Sequence, residues 1–178
     1  MKRELLWVRW WCFAWLEADH SWEPPELSSI SLQRRQALAR VYHQSLGSLY
    51  GISPHFPCRA SDTLIDIALS DNVQLNKLME LASATCKPMQ DFSLNEQDKE
   101  WCKRIARGLK PGQWLDIQQD PLCLLMQWVD DEAIWQRLRL RFQRERAELV
   151  PSSPQRPVSA KKLDTFWQAM VWRLYQSP

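Results

Sequence analysis

Trp7, Trp11 and Trp15 recur four residues apart, with Trp10 and Ala14 beside them. Residues four apart share one face of an α-helix, so the spacing predicts a helix over residues 5–18. That segment is apolar nearly all round, with Arg9 the one charge between Leu5 and Leu16. Such a helix belongs at the centre of a core. Tryptophan buries a great deal of surface per side chain, and the chain holds 11 of them in 178 residues, so a few helices suffice to build a core. Only 4 glycines are present, too few for the many tight turns of a sandwich or barrel. The expected fold is therefore all-α: a single irregular helical domain over 1–178, of about six or seven helices, with little or no sheet.

Further helices follow from periodicity and punctuation. Residues 32–50 form the second, with Leu38, Val41, Tyr42, Ser45, Leu46 and Leu49 as its expected inner face, and Pro54 and Pro57 beyond its end. Residues 62–69 are a short helix. Asp71 caps the next, which presents Leu75, Leu78, Met79 and Ala82 on one face and stops at Pro88. Ser93 and Glu96 have capping-box spacing for a helix that carries Trp101, Cys102, Ile105 and Leu109 inward and Lys99, Lys103, Arg107 and Lys110 outward. Asp120-Pro121 reads as an N-cap followed by proline at the first helical position. Residues 137–142 alternate strictly, as a strand would, but Ile134, Leu138 and Phe142 also fit a helix, and helix is the reading adopted. Pro151, Pro154 and Pro157 mark a stiff linker over 151–157. The last helix, over 160–175, has Leu163, Phe166, Trp167, Met170 and Leu174 at ideal spacing for a buried stripe.

Five cysteines, Cys12, Cys58, Cys86, Cys102 and Cys123, are odd in number and none sits at CxxC spacing. Free thiols in a reducing compartment are the simplest account. The apolar start follows Lys2 and Arg3, as in a secretory signal. But Glu4 and Arg9 interrupt it and no small-residue cleavage site follows, so it reads as a helix of the mature protein. It is also much shorter than the roughly 20 residues a membrane span needs, and no transmembrane segment is expected.

The chemistry-bearing residues are scattered. Cysteines and His20, His43 and His55 show no zinc-ligand spacing, and there is no phosphate-binding glycine loop. Cys102 falls on the inner face of its helix, which favours a core thiol over a nucleophile. Asp130-Asp131 sits at a helix start, where it complements the helix dipole. The expectation is a non-enzymatic chain with no catalytic residue, no metal and no cofactor.

Charge is unevenly spread although the net value is +2. Residues 99–110 hold five cations and one anion, 111–133 five anions and no cation, and 134–146 five arginines and one glutamate. The lysine-bearing stripe on 99–110 reads as a solvated helix face. An arginine run without lysine points to recognition, since guanidinium makes paired hydrogen bonds to carboxylates. With tryptophans filling the core, Arg137, Arg139, Arg141, Arg144 and Arg146 are expected at the surface as the protein-binding set.

The run Trp101-Cys102-Lys103-Arg104-Ile105-Ala106-Arg107, then Leu109, Pro111-Gly112 and Trp114-Leu115, resembles the SctK family of small type III secretion accessory proteins, in its HrpD-like members from plant-associated bacteria. Asp120-Pro121-Leu122, Trp135-Gln136-Arg137-Leu138-Arg139-Leu140, Phe166-Trp167-Gln168-Ala169 and the opening Arg9-Trp10-Trp11 through Trp15 carry the same likeness. The resemblance implies a helical, non-enzymatic adaptor of the cytosolic sorting platform, cytoplasmic and peripheral to the inner membrane. Its implied partners are the SctQ-type pod protein and the cytosolic domain of the inner-membrane ring protein, with the ATPase stalk regulator as a further candidate. The resemblance supplies no catalytic residues and no mapped binding set. Two alternatives come from other classes: a nucleic-acid-binding regulator using the basic faces, and a peripheral membrane protein using the first helix. Nucleic acid is the less expected partner, because acidic segments flank the basic ones.

Overall fold

The computed structural model describes residues 2–116, 118–151, 154 and 156–176. Among these, the α-helices in chain order are α1 (Arg3–Phe13), α2 (Leu32–Leu49), α3 (Asp62–Leu69), α4 (Asn72–Cys86), α5 (Glu96–Leu109), α6 (Leu122–Val129), α7 (Glu132–Leu138), α8 (Arg144–Glu148) and α9 (Ala160–Gln176). No strand occurs among the described residues, and the protein is all-α. The helices outnumber those expected because residues 131–148 break into α7, a 3₁₀ turn Arg139–Arg141 and α8. The alternating residues 137–142 fall at the end of α7 and in that 3₁₀ turn, with Phe142 extended, so the helical reading holds for 137–141. The expected single domain is subdivided into two compact units, one of residues 1–69 and 131–149, the other of 70–130 and 150–178. Of the linker expected over 151–157, Ser152, Ser153 and Gln155 lie outside the described residues.

In the first unit α1 packs against α2 and α3. Trp7, Trp10 and Trp11 are buried, and so is Trp15 in the 3₁₀ turn Ala14–Glu17 that replaces the last turn of the expected helix. Leu5 and Val8 remain exposed, so α1 is not enclosed on all sides. The buried indoles are not available to a lipid headgroup layer. No helix among the described residues is long and apolar enough to cross a membrane.

Helix α2 departs from its predicted face. Ala39, Leu46 and Gly47 are its buried residues, while Val41 is 72% exposed and Tyr42 and Leu49 are exposed as well. The cause is a kink: Tyr42 adopts φ −116°, ψ 25°, outside the helical region. A kink resets the angular register, so one stripe cannot be extrapolated through it.

In the second unit α4 packs on α5 and α9, and α6 on α9. The α9 stripe behaves as its spacing predicts, with Leu163, Phe166, Trp167, Met170 and Leu174 all buried. Asp71 caps α4 in a full capping box with Gln74. Asn95, not Ser93, caps α5, its side chain accepting from the Asp98 N–H. Asp120 accepts from the Leu122 N–H at 2.8 Å, but the N-cap position falls on Pro121, one residue later than the Asp-Pro signal predicts. Helices α5 and α6 end in left-handed residues that are not glycine, Lys110 (φ 54°) and Asp130 (φ 45°). Gly112 is required by a close approach, since a Cβ there would lie 2.7 Å from the Cys86 carbonyl oxygen.

One buried ion cluster was not foreseen. Asp98 is 0% exposed although it lies in the first turn of a basic helix. Its carboxylate accepts from Arg173 Nε of α9 at 2.6 Å and from Asn95 Nδ2 at 3.0 Å, with Lys77 Nζ of α4 at 3.6 Å. The three helices of this unit's centre thus meet on one carboxylate. All five cysteines are free, and burial pushes the Cys86 thiol up to about 12. Burial also raises the thiol of Cys102, which lies against the Leu81 carbonyl as a core residue should.

Removing the best-aligned partner of a buried charge is expected to cost the second unit most. Arg173→Met should lower stability by roughly 3–5 kcal/mol, as breaking a buried pair does, and Lys77→Met should cost clearly less. Urea denaturation of the two variants checks the order.

Candidate functional site

The arginine segment 137–146 lies wholly in the first unit. It does not form the exposed set that the sequence predicts. Arg137 is 4% exposed and Arg141 8%. Arg137 sits face-on to Trp11, its guanidinium carbon 4.0 Å from the ring centroid. It donates from Nε to the Trp11 carbonyl (3.0 Å), from Nη1 to Ala133 (2.7 Å) and from Nη2 to Ser53 (3.3 Å). Arg141 pairs with Glu17 at 2.8 Å and donates to the Ala68 carbonyl at 3.1 Å. Arg139 and Arg144 flank Trp22, at 5.1 and 5.4 Å from its ring, and Arg146 lies over Phe142 at 5.8 Å. Arg144 is exposed and paired with Glu148. The physical reason for the correction is that a planar, weakly hydrated cation stacks on indole, so a tryptophan core accepts arginine instead of expelling it.

The same tryptophans organise an irregular segment. Residues 51–61 have no regular secondary structure through position 61, so their carbonyls need outside donors. Trp7 Nε1 donates to the Cys58 carbonyl and Trp11 Nε1 to the His55 carbonyl, both at 2.9 Å. Gln136 Oε1 accepts from the Ser53 N–H at 2.8 Å, so α7 holds this residue by both its N–H and its C=O. The segment opens at Gly51, whose φ of 71° suits glycine and whose missing Cβ leaves room for Arg139 Nη2.

Between this strapped segment and α2 lies an open groove of about 560 Å³. Trp11, Trp15, Ile52, Pro54 and Phe56 give it apolar walls, His43 and His55 line it, and Arg137 contributes its one cation. Phe56 is 96% exposed. Among the described residues, the buried Trp15 indole N–H has no acceptor. Reasoning from sequence missed the groove because 51–61 shows no periodicity. The usable signal was an apolar residue, Phe56, set between Pro54 and Pro57 in a stretch without helical period.

The lysine stripe on α5 is a surface feature. Lys99 pairs with Asp91 and Glu96, and Lys103 with Glu100. Hydrogen bonding to Lys99 holds the Asp91 carboxyl below its ordinary value. Arg107 and Lys110 are exposed. Among the described residues, no group of three or more His, Cys, Asp or Glu side chains is placed to hold a metal ion.

No family model, curated protein or solved structure matches the chain.

With Arg137 and Arg141 inside the first unit, the variant Arg137→Ala, Arg139→Ala, Arg141→Ala should destabilise the protein. Each stranded buried acceptor costs roughly 1–3 kcal/mol, so the melting temperature should fall sharply. Lys99→Ala, Lys103→Ala, Lys110→Ala should melt close to the parent, because exposed pairs contribute about 0–1 kcal/mol. Thermal melts followed by circular dichroism check both.

Proposed function

We propose that the protein is a non-enzymatic adaptor that binds partner proteins through the α2 and groove side of its first unit. The supporting observation is a set of exposed apolar residues on and beside α2: Val41, Tyr42 and Leu49 on the helix, and Phe56 in the segment that lines the groove with it. A helix that buries Ala39, Leu46 and Gly47 while exposing larger residues is poorly used by its own unit. That pattern suits a surface completed by a partner.

The assembly proposed is the type III secretion sorting platform, on the SctK-like residues noted above. In it the chain would connect the cytosolic domain of the inner-membrane ring protein to the SctQ-type pod protein, on the cytoplasmic side of the membrane. The nucleic-acid alternative has less to draw on, because two of the five arginines are buried and Arg144 is already paired.

Co-purification tests this directly. The protein should retain an SctQ-type pod protein, and Val41→Ser with Leu49→Ser should reduce retention by about tenfold or more while leaving the melting temperature nearly unchanged. Unaltered retention by that folded variant, or none by the parent with either the pod or the ring domain, would contradict the proposal.

A further inference from the structure

The charge of Arg137 is the feature least explained by folding alone. Its guanidinium has five N–H groups. Three are used, all by backbone carbonyls. No carboxylate makes an ion pair with it among the described residues, and the acidic groups felt at longer range are Cys12, Cys58 and, after them, Asp131. Burial lowers its pKa, and the groups it touches are neutral carbonyls and a ring. The neighbouring Arg141, equally buried, has Glu17. Arg137 also lines the groove, together with the Trp11 ring it covers and the exposed Phe56.

We propose that the groove is a docking site for an acidic, apolar segment of a partner protein, with one carboxylate taken by the unused N–H groups of Arg137 and a neighbouring apolar side chain held among Trp11, Ile52 and Phe56. The charge decides the class of occupant. A basic segment would add a second cation to an uncompensated one, and a purely apolar segment would leave the guanidinium stranded under a dry cover. A carboxylate supplies both a counter-charge and two charge-assisted hydrogen bonds. The apolar walls supply area that a free acid anion cannot use, so the occupant is a side chain within a peptide. The segment 52–57 is held open for it by Trp11, Gln136 and Arg137 itself. The inference rests on the protein-binding reading but not on the identity of the assembly.

The test is an NMR titration of the full chain with acetyl-Leu-Phe-Glu-Leu-amide and its Gln and Lys counterparts. The Glu peptide should shift the amides of Ser53, His55 and Phe56 saturably. The Gln and Lys peptides should bind about tenfold or more weakly, the loss expected for one buried charged hydrogen bond. Phe56→Ser, at an exposed site that leaves the fold intact, should weaken the Glu peptide by a similar factor. Equal affinity for the Glu and Gln peptides, the same shifts with sodium acetate alone, no saturable binding, or a normal affinity in Phe56→Ser would each overturn the proposal. Retention of the pod protein by a chain that ignores the peptide would sink this inference alone. Peptide binding without pod retention would sink the secretion assignment alone.

Discussion

Arg137 and Trp11 are the pair on which the first unit turns. The guanidinium covers the indole of α1 and bonds the carbonyl of the same residue, a carbonyl of α7 and one of segment 51–61. The indole N–H of Trp11 in turn holds the His55 carbonyl. Between them these two side chains satisfy an irregular stretch of backbone that has no ladder of its own. Without them the 51–61 segment would need water where the core now is, and the groove would lose a wall. The ring face and three carbonyls offset part of the cost of burying a cation, which is how a tryptophan-rich core comes to contain charge.

Much of the helical framework was legible because it is written in side-chain spacing. The stripe Leu163 to Leu174 predicted α9 and every member of it is buried. Asp71 and Asp120 predicted two helix starts, the second to within one residue, through a chemistry that acts within three residues. Apart from the α2 face, the misreadings share a cause: they depended on what the chain meets far away in sequence. The α2 face fails at Tyr42, where a kink breaks the period. Nothing local marks Asp98 for burial, since its partner Arg173 is 75 residues on. The rule that arginine lies outside misplaced Arg137 and Arg141, which find Trp11 and Glu17 more than 120 positions away. The groove was illegible for the same reason, since its walls come from three separate stretches of chain.

The consequence for function is a division of labour among charges. On α5 the cations are solvated and paired with near neighbours. In the arginine segment most are stacked on tryptophan or phenylalanine and serve the fold. The net charge therefore says little about partners. What remains to receive one is the exposed apolar residues of α2, Phe56 and the Arg137 cation that lines the groove, and these define an adaptor surface more narrowly than a basic patch would.

A double-mutant cycle between Trp11→Phe and Arg137→Met, read by urea denaturation, tests the central pairing most directly. If the guanidinium and the indole stabilise each other, the double variant should be less destabilised than the sum of the singles, with a coupling of about 1–2 kcal/mol. Effects that add to within about 0.3 kcal/mol would mean the two side chains act independently, and would contradict the account of how this unit holds its irregular segment in place.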